Sequence, residues 1–463
     1  MKLENLKNKK ICLLGLGLEN LSLAKYLARR GIAVSVLDKR GSKELGDRYK
    51  AIKKIKANFY GGLAYLDKLS NFDIIFKSPG FVGSPRTKKD LPALPTGQAG
   101  GRQGAIITSA MKLFFDLCPA KIIAITGTKG KGTVASLCHH VLIHSNKKAW
   151  LAGNIGKAPF DFIDKLKPNH FIVLELSSFQ LIDFKNWPHF AKATRGKPHI
   201  AVVTNLFPEH LSPADPINPI FHKSLKEYYN AKANIFLNQK KSDWLVVNKN
   251  SHHPENLLKK SKAKIVYFEA VDKLPDNPNL LGKHNRENIA AANAIAAILK
   301  IPKNFFYQSV SSFRGLEHHL KLVKEINGIK FYDDSASTMP MATLAAARAF
   351  DKDIILIVGG VNKGYDLKNF AKQLSQLWQP IAVVLIGQVA KELEYYLLKQ
   401  KTAFAVYRTD GRINKIVKDV LRLASKLPSK IPVVFSPGFA SFDMFKNSKD
   451  KGEKFKEAVL ALR

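Results

Sequence analysis

The sequence predicts an α/β protein of three domains built on mainly parallel sheet. Its 463 residues exceed what a single hydrophobic core fills, since cores stop growing near roughly 250–300 residues. Short β-branched apolar runs, among them ICLLGLG, IAVSVLD, KIIAIT, HFIVLEL, DIILIVGG and IPVVFSP, recur with helix-period stretches between them. That alternation is the pattern of strands joined by crossover helices. One such strand runs straight into a glycine-rich loop and a helix, at residues 121–137. Domains are expected at 1–118, 119–317 and 318–463, with Pro119 marking the first boundary and the segment 313–320 the second.

The first domain opens with KKICLLGLG, continues at helical period over 18–30, and returns as IAVSVLD ending on Asp38. This reads as a Rossmann-like sheet. Gly15 and Gly17 are present, but Asn20 stands where a dinucleotide fold places its third glycine, which argues against a dinucleotide ligand. Between Arg86 and Gly104 the chain is rich in Gly, Pro and Gln without periodicity; such a stretch cannot pack a core and reads as a loop or disordered insertion. The strand Ile106-Ile107-Thr108 and a helix follow.

The second domain is organised around 121–137, KIIAITGTKGKGTVASL, and reads as a P-loop ATPase-type domain with a mostly parallel sheet. An apolar strand ends at Thr126, Gly127 to Gly132 form a tight loop, and Thr133 begins a helix. Glycines let backbone N–H groups turn toward an anion, the helix N-terminus adds a positive dipole end, and Lys131 brings a point charge for the β- and γ-phosphates. The Gly-x-x-Gly-Lys spacing is two residues shorter than the common phosphate-loop motif. Farther on, the turn Gly153-Asn154-Ile155-Gly156 lets backbone approach a ligand closely. The strand HFIVLEL carries Glu175 at its end, where ligands of open α/β sheets gather and a hard oxygen donor suits Mg2+. His210 follows the strand HIAVVTNL, and Lys232 sits in the helix YYNAKANIF. Asn285 and Asn288, spaced i and i+3, share one helix face.

The third domain repeats strand and helix from GIKFYDDSA to IPVVFSP and again reads as Rossmann-like with parallel strands. Three strand ends carry polar clusters: 333–338, 359–364 and 436–445. Three clusters on one sheet edge read as a site.

The loop Gly127-Thr128-Lys129-Gly130-Lys131-Gly132-Thr133 resembles the ATP loop of the Mur ligases and the related folylpolyglutamate synthases, which make amide bonds with ATP. The runs ELSSFQL at 175–181 and SPGFASFDMFKN at 436–447 resemble the branch of that family that joins D-glutamate to UDP-N-acetylmuramoyl-L-alanine. The resemblance covers nearly the whole chain outside the insertion. It implies an enzyme working through an acyl phosphate, with ATP on the loop and Mg2+ on Thr133 and Glu175. It implies a second Mg2+ on His210 and a carbamylated Lys232, with Asn288 and Asp334 beside ATP. It places Asp38, Lys39, Arg40, Ser78, Pro79, Gly80, Asn154, Ser177 and Gln180 on the sugar nucleotide. Thr338, Lys363 and Ser441 fall where the carboxylates of D-glutamate are held. The chain departs from the family pattern at Lys129, at Glu209 in place of aspartate, at Ala336 where some members carry lysine, and at His319 in place of an arginine that reaches ATP. Lys321 is the cation nearest that last position.

Seventy-four Lys and Arg against 37 Asp and Glu give a net charge of +37, spread in pairs such as Lys53-Lys54 and Lys259-Lys260. Diffuse charge points to a general lysine bias suited to an anionic substrate and away from a nucleic-acid stripe. Cys12, Cys118 and Cys138 lie in or beside apolar segments without metal-ligand spacing and read as buried thiols of a reducing compartment. No apolar run reaches the about 18 residues of a membrane span, and the N-terminus lacks the apolar core of a signal peptide. A cytoplasmic, monomeric enzyme is expected. Two alternatives stay open: another amide ligase of the superfamily, or a nucleotide-binding homologue that has lost catalysis.

Overall fold

The computed structural model describes residues 1–81, 105–185, 196–209, 211, 221–251, 254–440, 444–445 and 448–462. The insertion at 86–104, His210 and Ser441 therefore lie outside the described residues. The chain forms two compact units. One comprises Met1–Glu269 and Ala290–Phe306, the other Ala270–Ile289 and Tyr307–Arg463.

The first unit holds two sheets. In the first, β1 (Ile11–Leu14), β2 (Val34–Asp38), β3 (Asn58–Gly61), β4 (Ile74–Lys77) and β5 (Ile106–Thr108) pair in parallel in the order β3-β2-β1-β4-β5. The direction of winding reverses between β1 and β4, the point where open α/β sheets leave a crevice. The helix α1 (Leu18–Ala28) follows β1, and α2 (Ala110–Leu117) follows β5 with Ser109 as its N-cap.

In the second sheet, β6 (Lys121–Thr126), β7 (Ala149–Gly153), β8 (Phe171–Glu175), β9 (Ile200–Val203), β10 (Trp244–Asn248) and β11 (Lys264–Phe268) are all parallel, ordered β11-β10-β9-β6-β8-β7. The central strands are buried end to end, as the continuous apolar runs require. The two sheets share one apolar core. The Phe160 ring meets Tyr26 of α1 at 4.9 Å and Phe114 of α2 at 5.8 Å, and Phe115 meets Phe184 at 5.0 Å. Emptying either buried ring, as in Phe114→Ala, removes about 3–5 kcal/mol.

The second unit holds β12 (Lys321–Ile326), β13 (Ile329–Asp333), β14 (Ile354–Gly359), β15 (Pro380–Ile386), β16 (Ala405–Arg408) and β17 (Val433–Gly438) in the order β12-β13-β17-β14-β15-β16. All neighbours are parallel except β12 and β13, which form an antiparallel hairpin. The purely parallel expectation is corrected here. The missed signal was Asn327-Gly328, whose φ values of 50° and 82° make the two-residue hairpin turn that Asn-Gly favours. Cys12, Cys118 and Cys138 are buried and unbridged, and no helix among the described residues is long and apolar enough to cross a membrane.

Candidate active site

The phosphate-type loop joins β6 to α3 (Lys131–His144), one residue pair earlier than the sequence alone suggested. Gly130 caps the helix at φ 78° and Gly127 sits at φ 149°, conformations that glycine adopts without strain. A Cβ on Gly127 would fall 1.9 Å from Thr204 Oγ1, so this position accepts only glycine.

Three successive carbonyls of the loop are each held by a side chain, the middle one by the loop's own Lys131. Lys232 Nζ donates to Gly127 O at 2.7 Å, and Lys131 Nζ donates to Thr128 O at 2.9 Å. Lys129 O accepts from Thr204 Oγ1 at 2.6 Å and Asn205 Nδ2 at 3.1 Å. Asn205 also takes the Lys129 N–H on its Oδ1 at 2.8 Å and the Thr128 N–H on its carbonyl at 2.9 Å. The loop is thereby fixed before any ligand arrives, while the first-turn N–H groups of α3 have no helical acceptor and present a positive end to an anion.

Acid and base converge on this loop. Glu175 ends β8, next to β6, and its carboxyl is pushed up by burial, against the pull of Lys131, a hydrogen bond from Asn154 and the charge of Lys232. Burial holds the Lys131 ammonium below the usual lysine range, with Glu175 and Glu209 opposing. The short helix α4 (Ser178–Leu181) follows β8, and Lys232 lies on α5 (Leu225–Ala233). It is 3% exposed, and burial drives it well below the usual range, helped by the charge of Lys131. Lys129 Nζ pairs with Glu209 Oε1 at 2.6 Å. Among the described residues no group of three or more His, Cys, Asp or Glu is placed to hold a metal ion.

The residues expected on the sugar nucleotide lie after several strand ends: Asp38 to Arg40 at β2, Ser78 to Gly80 after β4, Asn154 after β7, and Ser177 and Gln180 after β8. Ser78 N donates to Leu14 O at 2.8 Å, and Gly15 leaves only 3.0 Å for a Cβ against Ser78. Asp38 is already engaged: Leu16 N donates to it at 2.7 Å and Arg40 binds it through Nη2 and Nε at 2.7 and 2.9 Å. Lys39 is exposed beside them, and Ser78-Pro79-Gly80 form the turn after β4. Asn20 replaces the third glycine for a structural reason, because its Nδ2 ties Gly15 O (2.8 Å) to Phe76 O (3.1 Å). Ser177 and Gln180 form the capping box of α4, and Gln180 Nε2 also donates to Glu19 of α1. Lys77 and Asp183 pair at 2.6 Å nearby.

In the second unit, the strand-end loops converge as the polar clusters suggested. Gly438 N donates to Ser337 O at 3.0 Å and Val361 N to Ala440 O at 2.7 Å, joining the ends of β13, β17 and β14. Thr338 and Lys363 lie half-buried on these loops. Asp334 accepts from Ser337 Oγ and Ser436 Oγ at 2.6 Å each and from Leu320 N at 3.1 Å; burial pushes its carboxyl up to about 7. On α6 (Lys283–Ile298), Asn288 Nδ2 donates to Asn285 Oδ1 at 2.9 Å, as the i, i+3 spacing implied. Lys321 pairs with Glu317, and His319 Nδ1 lies 2.8 Å from Glu317 O.

Tyr228 and Thr204 were missed by sequence reasoning. Tyr228 stands one helical turn before Lys232, so the i, i+4 spacing was its available signal.

Residues 125–277 match the family model of the Mur ligase middle domain, and residues 9–88 match that of the MurD-like N-terminal domain of Mur ligases. These matches define the class as Mur ligases. The chain is 32% identical to a protein of Ruminiclostridium cellulolyticum, over 99% of this chain and 98% of that one. It is 34% identical to one of Acetivibrio thermocellus, over 98% and 97%. Both carry the name UDP-N-acetylmuramoylalanine–D-glutamate ligase, and the chain belongs to that family. Its fold is similar to the crystal structure of UDP-N-acetylmuramate-alanine ligase MurC from Thermotoga maritima, with a TM-score of 0.57 at 16% identity over 98% of this chain and all of that one. It is also similar to MurF from Acinetobacter baumannii, with a TM-score of 0.58 at 16% identity over 78% and 82%.

Proposed function

We propose that the chain joins D-glutamate to UDP-N-acetylmuramoyl-L-alanine with ATP, a step in building peptidoglycan precursors. The observation that carries this reading is a preformed phosphate loop flanked by Glu175, in a chain that matches D-glutamate ligases end to end. An amide cannot form from a free carboxylate without a leaving group, and transfer of the ATP γ-phosphoryl to the L-alanyl carboxylate provides one. The D-glutamate amine then displaces phosphate from that acyl phosphate. Little covalent chemistry falls to the protein, so its contribution is positioning and charge neutralisation.

In this reading, Gly127, Thr128, Lys129, Gly130, Lys131, Gly132 and Thr133 hold the triphosphate. Lys131 exchanges the Thr128 carbonyl for phosphate oxygens. The donor set of the Thr133 hydroxyl and the Glu175 carboxylate fits Mg2+, which takes hard oxygen ligands and keeps its remaining positions for phosphate and water. Bound there, the ion would offset charge on the phosphate oxygens. His210 and a carbamylated Lys232 would hold a second ion, the carbamate replacing the ammonium that now donates to Gly127 O. Asn288 and Asp334 serve ATP. Asp38, Lys39, Arg40, Ser78, Pro79, Gly80, Asn154, Ser177 and Gln180 serve the sugar nucleotide, and Thr338, Lys363 and Ser441 the D-glutamate carboxylates. The three domains then divide the work as sugar-nucleotide, ATP and amino-acid sites, at 1–118, 119–317 and 318–463. The enzyme acts as a cytoplasmic monomer.

Phosphate release from ATP, measured with UDP-N-acetylmuramoyl-L-alanine and each amino acid in turn, tests the reading. D-glutamate alone should stimulate it, and Lys131→Ala should abolish it. Stimulation by a different amino acid, or turnover that survives Lys131→Ala, would overturn the proposal.

A further inference from the structure

Thr128 is the junction between the phosphate loop and the segment after β9. The Phe207 N–H donates to Thr128 Oγ1 at 3.0 Å, Thr128 Oγ1 donates to Phe207 O at 3.2 Å, and the Tyr228 hydroxyl lies 2.9 Å from the same oxygen. A hydroxyl has one hydrogen and two lone pairs. Thr128 Oγ1 thus bonds three groups at once, and in its bond with Tyr228 either oxygen can supply the hydrogen. Thr128 and Tyr228 are 3% and 0% exposed, which makes a lost partner costly.

Tyr228 and Lys232 stand one turn apart on α5 and grip adjacent loop residues, Thr128 through its side chain and Gly127 through its carbonyl. The Lys232 ammonium lies 4.6 Å from the centre of the Tyr228 ring. The same helix therefore fixes the loop at two consecutive positions. Through Thr128 it also fixes Phe207, two residues before Glu209, whose carboxylate holds Lys129.

We propose that Tyr228 is a positioning residue for phosphoryl transfer: its O–H, acting through Thr128, keeps the phosphate loop in register with residues 205–209. The proposal rests on the reading of this loop as the ATP site. It adds that loop alignment is set by a group that touches no substrate.

Tyr228→Phe keeps the ring and removes only the hydroxyl; Thr128→Val removes the junction, and Thr128→Ser keeps a hydroxyl there. With D-glutamate and the sugar nucleotide saturating, Tyr228→Phe is expected to lower kcat about tenfold and to raise the ATP dissociation constant several-fold. The KM for the sugar nucleotide should stay unchanged, and the melting temperature should fall by no more than a few degrees. The double variant Tyr228→Phe/Thr128→Val should be no worse than Thr128→Val alone, since both act through one hydroxyl, and Thr128→Ser, which keeps that hydroxyl, should lose less than Thr128→Val. Wild-type kcat and ATP affinity in Tyr228→Phe, or losses that multiply in the double variant, would overturn the proposal. Calorimetric ATP binding separates the two ideas. A wild-type protein without D-glutamate-dependent turnover defeats the ligase reading, whereas non-multiplying losses of ATP affinity in the same variants would still support the role of Tyr228.

Discussion

Replacing Glu19 with Gln should stabilise the protein increasingly as pH rises from 5 to 8. Glu19 sits in the first turn of α1, facing the second sheet. Its Oε1 accepts from Gln180 Nε2, while its Oε2 is buried without a partner among the described residues. Around it stand Gln180, the carboxylate of Asp183 with its partner Lys77, and Lys112 on α2. Burial, and to a lesser extent the charge of Asp183, push the Glu19 carboxyl from 4.5 up to about 7 against the Gln180 hydrogen bond. A carboxyl raised in the folded state binds its proton more tightly there than in the unfolded chain, so folding stability falls as pH climbs through the window between those values. At about 1.4 kcal/mol per unit, the penalty is about 1 kcal/mol at pH 5 and about 3 kcal/mol at pH 8. The glutamine amide keeps the acceptor for Gln180 and carries no charge, so any constant offset of the variant is independent of pH. For a protein of this size about 2 °C accompanies each kcal/mol. Thermal melts at half-unit steps should show the variant's advantage widening by roughly 4 °C between pH 5 and 8. Melting curves that run parallel over that range would refute the reasoning.

Gly127→Ala should abolish ATP-dependent turnover and lower the melting temperature, because the new methyl would meet Thr204 Oγ1 at 1.9 Å at a φ of 149°; near-normal turnover would contradict the packing. Lys129→Met should raise the KM for ATP several-fold while changing stability by less than about 1 kcal/mol, since its pair with Glu209 is half exposed at the lysine; chemical denaturation alongside kinetics checks both halves. Asp334→Asn should cost about 1–3 kcal/mol, because an amide NH2 cannot accept from all of Ser337, Ser436 and Leu320 N. Its cost should shrink as pH rises from 5 to 8, because the native carboxyl, raised to about 7, loses folding stability as it ionises while the amide does not titrate. A cost that is flat from pH 5 to 8 would show that Asp334 is ionised throughout.

What was legible in the sequence was local. The β6–loop–α3 unit, Glu175 at the end of β8, and the Asn285–Asn288 pair follow from residues within a few positions of one another, where strand pattern, glycine and helical period fix geometry. The polar strand ends of the second unit were legible for the same reason. Three things were not. The bonds of Asp38 to Leu16 N and Arg40 depend on how β1 returns beside β2, which its own stretch of sequence does not show. Glu19 meets Gln180 across 161 positions of sequence, a contact that no window reveals. The hairpin of β12 and β13 was written in Asn327-Gly328, but the half-exposed KLVKEI lacks the apolar continuity that marked the other strands.

The placement of charge around the loop explains how so basic a chain keeps a phosphate site ordered before its ligand arrives. Each lysine at the loop already has an acceptor: Lys131 on Thr128 O, Lys129 on Glu209 and Lys232 on Gly127 O. Binding an anion is then an exchange of partners within a fixed frame. The alternative, gathering mobile ammonium groups out of water, would cost side-chain entropy for every lysine immobilised. The frame itself depends on neutral groups, Thr204, Asn205 and Tyr228, whose bonds to the loop need not break when Lys131 exchanges its acceptor for an anion. Charge moves while geometry holds, and donors fixed in advance are what stabilises a transferring phosphoryl group most effectively.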